Sequence, residues 1–373
     1  MVNLAPLLDA VRPAIDARLV EMFTRMQFIL GGQVSSFESE FAAAMGGAHC
    51  VGVSTGTAAL ELSLRHAAIQ GGVLTSALTS PFTATAILNA GCKPVFCDVA
   101  PETLLIDLDE AASKFARVNA AVPVHLYGQP VDMTRLAAIA KKSNVTLIQD
   151  ACQAHSALSN GRPLPEFAPY TCYSFYPTKN LGCLGDGGAI VTSNRRANEH
   201  LRCLRDGGRK NGGQVAYFEG INARLDEIHA CYLRAFLPRL ASWNADRRWL
   251  ASLYDRALAD FEPVRPIQRA AGSVCHLYVV RCKSRDALRE YLSARGIGSG
   301  VHYPVPLHLH PAFADGRRGR GEFPRAEKAC KEILSLPLWP YMLESAVEQV
   351  VKAIREFYAG RAVRPTPRPP RKR

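Results

Sequence analysis

Lys179 is the side chain in this sequence best placed to act as a nucleophile. It lies in Tyr173-Ser174-Phe175-Tyr176-Pro177-Thr178-Lys179-Asn180-Leu181-Gly182, just past an apolar run of strand character and ahead of Gly185-Asp186-Gly187-Gly188-Ala189. Enclosure by aromatic and glycine residues strips water from the amine, and desolvation makes a lysine nucleophilic enough to form a Schiff base with a carbonyl. Taken alone, the same lysine also fits a surface turn. A second segment, Val145-Thr146-Leu147-Ile148-Gln149-Asp150-Ala151-Cys152-Gln153-Ala154-His155, puts the Asp150 carboxylate at the end of a buried strand. A buried carboxylate costs several kcal/mol unless a cation or hydrogen bonds meet it, although an isolated Asp there also serves as a cap or turn former. A third, Val53-Ser54-Thr55-Gly56-Thr57-Ala58-Ala59, turns from strand to helix at a glycine, where free N–H groups and the helix dipole favour an anion, most naturally a phosphate. The fourth, Gly220-Ile221-Asn222-Ala223-Arg224-Leu225-Asp226-Glu227, has the form of helix capping.

Strands must converge to bring such groups together. Runs of strand character occur at Cys50–Ser54, Val73–Thr79, Pro94–Cys97, Ala121–Leu126, Val145–Gln149, Thr171–Phe175 and Ala189–Thr192. Several are apolar on both faces, as strands between helix layers must be. Helical stretches lie between them at Thr57–Ala68, Phe82–Asn89, Leu108–Phe115 and Met133–Lys142. This order predicts a mostly parallel sheet sandwiched by helices, with ligands at the carboxyl ends of the strands. A long helical stretch, Leu225–Ala259, is interrupted by Pro238 and leads to a smaller α+β segment. That segment has a strand His276–Cys282, a helix Arg285–Arg295, a Pro/His-rich loop Val301–Pro311 and a final helix Glu344–Tyr358. The expected organisation is a large domain over 1–245, a small C-terminal domain over 246–360 and a basic, Pro-rich, disordered tail over 361–373.

The 373 residues are 48% hydrophobic and 21% charged, which is the make-up of a folded soluble chain and excludes a collagen, a coiled coil or a disordered chain. Val73–Ala90 and Ala120–Leu126, the longest apolar stretches, are broken by polar residues or proline well short of membrane-spanning length. No membrane span is expected. The opening residues lack a cationic segment followed by an apolar stretch, so the protein is expected in the cytoplasm. The 11 cysteines contain no Cys-x-x-Cys pair and read as reduced, mostly buried hydrophobes. His308-x-His310 has no neighbouring carboxylate or third histidine in sequence, and no metal site is expected. The formal charge of +12 draws six cations from the tail (Arg361, Arg364, Arg368, Arg371, Lys372, Arg373), with Arg317, Arg318 and Arg320 crowding one loop. The body is only mildly basic, and tail contacts to phosphates would carry no sequence information.

An anion cradle, a buried carboxylate, a flat apolar wall at Phe82 and an enclosed lysine together suit pyridoxal 5′-phosphate (PLP). The sequence resembles the DegT/DnrJ/EryC1/StrS family of PLP-dependent sugar aminotransferases. The likeness runs from Gly31-Gly32 and Phe37-Glu38 through Pro123-Val124-His125-Leu126-Tyr127-Gly128-Gln129-Pro130-Val131-Asp132-Met133, the lysine segment, Trp243-Asn244 with Arg247-Arg248, and His302-Tyr303-Pro304, to Leu334-Ser335-Leu336-Pro337-Leu338. The resemblance implies the type I PLP-dependent transferase fold: α/β, with a mostly parallel mixed sheet in a large domain plus a smaller α+β domain.

It also implies roles. Lys179 would hold PLP as an internal aldimine and shuttle protons, and Asp150 would pair with the pyridine nitrogen. Phe82 would stack on the ring and Gln153 would lie near its 3-oxygen. Thr57, Ala58 and Ser174 would bind the phosphate, and Asn222 would reach the cofactor of a neighbouring subunit, making the active unit a homodimer. His155, His302 and Tyr303 would shape the substrate pocket. The implied reaction is a ping-pong exchange in which an amino acid, L-glutamate in relatives, loads the pyridoxamine form. A keto sugar on a nucleoside diphosphate then takes the nitrogen. An inosose acceptor is the alternative, and a non-catalytic regulatory or nucleic-acid-binding member is a more distant one. Lys179 argues against the family's 3-dehydratases, which carry histidine there, and no helix-turn-helix or RNA-binding pattern supports specific nucleic-acid binding. The chain departs from the family pattern at Gly71-Gly72-Val73-Leu74, Thr55 and Ser156.

Overall fold

The computed structural model describes residues 2–210, 212–313 and 319–362. Arg317, Arg318 and the tail from residue 363 therefore lie outside the described residues. Twelve strands are present: β1 (His49–Val53), β2 (Gly72–Ser76), β3 (Lys93–Cys97), β4 (Ala120–Val122), β5 (Thr146–Asp150), β6 (Leu158–Ser159), β7 (Arg162–Pro163), β8 (Tyr170–Ser174), β9 (Gly188–Thr192), β10 (Val264–Pro266), β11 (Tyr278–Cys282) and β12 (Ile333–Leu336). Seven of them form one sheet in the order β1-β9-β8-β5-β4-β2-β3. All neighbours pair in parallel except at β9, which runs antiparallel to both β1 and β8.

The period of two along each strand explains the layers. Leu74, Ala121, Leu147, Ala189 and Val191 join one apolar cluster, while Val73, Ala120, Val122, Ile148 and Ile190 join another on the opposite face. Both faces are buried, as expected for a parallel sheet covered by helices. The run expected as a strand over Ala121–Leu126 stops at Val122, because Pro123 has no N–H to give the ladder. The chain then makes a turn over Leu126–Gly128, with Tyr127 in the left-handed region at φ 61°.

A three-stranded antiparallel sheet, β10-β11-β12, packs against the helices Leu240–Leu258, Arg285–Ser293 and Glu344–Ala362 around its own apolar cluster. Helix Leu240–Leu258 runs unbroken through residue 245. It is separated from helix Glu227–Phe236 by a 3₁₀ turn at Leu237–Arg239, where Pro238 interrupts the stretch. Its Arg247, only 1% exposed, donates to the carbonyls of His276 and Leu338 and so ties the helix to both flanks of the small sheet.

The Asp226-Glu227 capping segment serves a helix far away in sequence. Helix Gly32–Ala44 opens on Gly31, which offers no side-chain acceptor. Glu227 supplies one instead: its Oε1 accepts from the N–H groups of Gly31 and Val34, and its Oε2 from that of Gln33, each at 2.8 Å. A buried carboxylate meeting three orphan donors at a helix start answers both its own desolvation and the helix's. Among the described residues no helix is long and apolar enough to cross a membrane. All eleven cysteines are free, nine of them buried.

Candidate active site

The strand order brings the chemical segments to one edge. Val53, at the end of β1, pairs with Gly188 at the start of β9, and Gly188 in turn pairs with Ser174 at the end of β8. Asp150, at the end of β5, pairs with Cys172 of β8. A Cβ on Gly188 would stand 2.4 Å from the Thr55 carbonyl carbon and oxygen, so only glycine lets β9 lie against the helix start. A Cβ on Gly56 would meet Cys152 Sγ at 2.6 Å and Ser174 Cβ at 2.8 Å. Thr55 caps helix Gly56–His66 by accepting from the Ala58 N–H, which leaves the first N–H groups of that helix pointing outward.

These segments enclose a cavity of about 440 Å³ whose lining includes Thr57, Phe82, Asp150, Gln153, Ser174, Lys179, His302 and Tyr303. Lys179 is the one lysine or arginine lining it among the described residues. Burial lowers the pKa of the Lys179 amine from its ordinary value, with Cys152 and Asp150 acting in the other direction. Asp150 is 6% exposed and accepts from Thr83 Oγ1 at 2.8 Å and from the Cys152 N–H at 3.1 Å. Phe82, beside Thr83 on helix Pro81–Asn89, leaves 64% of its surface open next to that carboxylate. His302 is pushed down to about 4 by burial and by Lys179, and burial raises Tyr303 to about 12, so both present neutral polar groups.

The resemblance placed Pro123–Met133 among its most specific segments, and its role is support. Gln153 Oε1 accepts from the Tyr127 N–H at 2.7 Å, and Gln153 Nε2 donates to Tyr303 Oη at 3.2 Å. Tyr127 Oη donates to the carbonyl of His302. His125, fully buried, accepts from the Val131 N–H and reaches Gln149 through its other nitrogen.

Three expected site residues do not line this cavity. Ala58 is buried in the first turn of its helix, contributing backbone only. Asn222 is exposed and bridges to Asp206, which lines a different cavity. His155 is wholly buried among Phe41, Tyr173 and Phe175, with neither ring nitrogen hydrogen-bonded, and burial and Lys179 hold its pKa down to about 3. Its neighbourhood is aromatic packing, so a direct substrate contact is not what this geometry offers. Thr83, Asn180 and His276 carry weight that local sequence reasoning missed. Only their closeness to Phe82, to Lys179 and to the start of β11 hinted at it. His308, beside a carboxylate after all, bonds Glu327 at 3.1 Å, while His310 turns to the carbonyl of Val305. Among the described residues no group of three or more His, Cys, Asp or Glu is arranged to hold a metal ion. A larger cavity of about 670 Å³ is lined by Arg196, Arg202, Arg205, Arg209 and Lys210 among others, where Lys210 lies over the Phe218 ring.

A buried amine with its pKa lowered, a fixed carboxylate, an open aromatic face and a glycine-lined helix start fit a phosphorylated pyridine aldehyde. Residues 10–355 match the DegT/DnrJ/EryC1/StrS aminotransferase family. The chain belongs to that family. It is 39% identical over 368 residues to a protein of Geobacillus stearothermophilus named "Pleiotropic regulatory protein", covering 96% of this chain and 98% of the relative. It is 38% identical over 357 residues to the dTDP-3-amino-3,4,6-trideoxy-α-D-glucose transaminase of Streptomyces venezuelae, covering 94% and 93% of the two chains. The crystal structure of S. venezuelae DesV in complex with a ketimine intermediate superposes with a TM-score of 0.92 at 36% identity, covering 98% of each chain. This DegT/DnrJ/EryC1/StrS protein is thus an aminotransferase of the PLP-dependent fold, and PLP is its cofactor.

Proposed function

We propose that this aminotransferase moves the amino group of L-glutamate to C3 of a keto sugar carried on a nucleoside diphosphate, in the cytoplasm, as a homodimer with shared sites. The observation that carries the reading is Lys179, its pKa lowered by burial, set in one cavity with Asp150 and the open face of Phe82. Position C3 is supported by the S. venezuelae transaminase, whose name specifies a 3-amino product. When bound, PLP supplies the aldehyde that carries nitrogen between substrates and the ring that draws electrons from the reacting carbon.

The protein's own groups do the rest. Lys179 Nζ would be the group that holds PLP and, when free, would serve as the base at the donor's α-carbon. Burial keeps the amine a usable base. Asp150 would pair with the pyridine nitrogen, and Thr83 and the Cys152 N–H keep the carboxylate in place. Phe82 would offer its open face to the ring. The N–H groups at Gly56 and Thr57, with the Thr57 and Ser174 hydroxyls, would hold the phosphate. His302 and Tyr303 line the side on which the sugar enters.

A dimer is supported by the position of Asn222, exposed and outside its own cavity, and by large apolar side chains left open on the surface, among them Phe23, Met26, Tyr176 and Tyr217. Glutamate and a diphosphate bring several negative charges to a cavity lined by one lysine. The test is spectroscopic. The yellow protein should lose its long-wavelength band on adding glutamate and regain it with a dTDP- or UDP-linked 3-keto sugar. Recovery with inososes and with no nucleotide sugar would transfer the assignment to cyclitol amination, and no change with glutamate would end it.

A further inference from the structure

Behind Lys179 runs a chain of buried amides that fixes the proton of a histidine not yet given a task. Asn244 Nδ2 donates to the carbonyl of His155 at 3.0 Å, which leaves Asn244 Oδ1 as an acceptor. Asn180 Nδ2 fills that acceptor at 2.8 Å and also donates to the carbonyl of Val274 at 3.0 Å. Backbone carbonyls only accept, so neither amide can be flipped without losing a bond. Asn180 Oδ1 is then an acceptor, and His276 Nδ1, 3.1 Å away, must carry the proton between them. Both asparagines are 2% exposed, so water does not compete for these bonds.

His276 is 6% exposed and lines the cavity together with Lys179, His302 and Tyr303. Burial first, then Lys179, Arg247 and neighbouring histidines, hold its pKa well below the ordinary value, so the ring is neutral. A neutral imidazole with its proton on Nδ1 has a lone pair on Nε2. That nitrogen has no hydrogen-bond partner among the described residues.

We propose that His276 Nε2 is a dedicated acceptor for an O–H or N–H group on the sugar carbon next to the ketone, kept an acceptor by the positioning residues Asn180 and Asn244. The inference rests on the keto-sugar reading above. The reacting carbonyl must come to the end of the Lys179 side chain, so the substituent one bond from it lies in the part of the cavity that His276 walls. An acceptor that cannot switch to a donor discriminates between a substrate with that hydrogen and one without it, since the lone pair is otherwise left buried and unmet.

The test crosses two changes. One is His276→Phe, which deletes the acceptor. The other deletes the hydroxyl, by comparing a dTDP-linked 3-keto-6-deoxyhexose with its 2-deoxy and 4-deoxy counterparts. For one of these probes the wild-type enzyme is expected to lose about tenfold to hundredfold in kcat/KM, a loss that His276→Phe no longer shows. His276→Phe should also slow the sugar half-reaction at least tenfold more than the glutamate half-reaction. His276→Gln should recover most of the loss, because its amide can donate to Asn180 Oδ1 and turn its oxygen to the cavity. Equal sensitivity to hydroxyl removal in wild type and His276→Phe would overturn the proposal, as would equal slowing of both half-reactions. If His276→Phe does not fold, a wild-type enzyme indifferent to both deletions refutes it just as well. Failure of the wild type to convert any nucleotide-linked keto sugar would instead refute the underlying function.

Discussion

Replacing Asp150 by Asn isolates one charge. The carboxylate is 6% exposed and holds two hydrogen bonds, from Thr83 Oγ1 at 2.8 Å and from the Cys152 N–H at 3.1 Å. An asparagine keeps both: its oxygen still accepts from Cys152, and its amide donates to a Thr83 hydroxyl that has turned into an acceptor. Shape and hydrogen bonding survive, so the melting temperature should move little. What is lost is the attraction to a protonated pyridine nitrogen. Unit charges ~4 Å apart at an effective dielectric of ~20 interact by about 4 kcal/mol before desolvation, and each ~1.4 kcal/mol felt in the transition state is a factor of ten. Asp150→Asn should therefore slow the glutamate half-reaction by roughly 10²- to 10³-fold, read by stopped-flow absorbance on protein saturated with PLP. Thr83→Val, which removes one charge-assisted bond worth about 1.5–3 kcal/mol, should fall between the two. An Asp150→Asn enzyme within threefold of wild type at full cofactor occupancy would refute the role given to the charge.

Lys179→Ala should abolish turnover with the fold intact by circular dichroism, and a variant still transaminating at the wild-type rate would remove the basis for the mechanism. Glu227→Ala strands three N–H groups of helix Gly32–Ala44 and should cost about 3 kcal/mol or more in urea unfolding, at roughly 1–3 kcal/mol per unmet donor with partial rescue by water. Gly188→Ala drives a methyl into the Thr55 backbone, so insoluble or PLP-free protein is the expected outcome, and a normal holoenzyme would contradict the close approach. Acid should destabilise the chain early. His125 and His155 titrate near 4 and 3 in the fold, whereas the unfolded imidazole titrates near 6.5. Folded values lower than unfolded ones mean that the unfolded chain binds more protons below that point, so the stability contribution is present above it and is lost as pH falls. Each should cost about 1.3 kcal/mol between pH 7.5 and 5.5, seen as a lower urea midpoint, and a pH-independent midpoint over that range would show that these rings are not held neutral.

The amino-acid sequence by itself determined the sheet elements and singled out Lys179 and Asp150 as the candidate pair. Alternating apolar runs such as Leu147-Ile148 have to be covered on both faces, and Lys179 and Asp150 stand just past or at strand ends, so local pattern and chain order were enough to bring them to one edge. Strand limits were legible to within a few residues, with Pro123 the visible reason one of them ended early. Other facts depended on contacts between distant residues. Glu227 caps a helix that begins about two hundred positions earlier, Gly188 is needed because Thr55 packs against it, and β9 runs against its neighbours although its composition matches theirs. His155 was expected at the substrate and lies sealed among Phe41, Tyr173 and Phe175, while His276, read only as the start of a strand, opens on the cavity. Backbone propensity and periodicity are set by near neighbours. Which nitrogen of the His276 imidazole holds a proton is set by the amide of Asn180, almost a hundred positions earlier in a loop, and only the packed chain brings the two together.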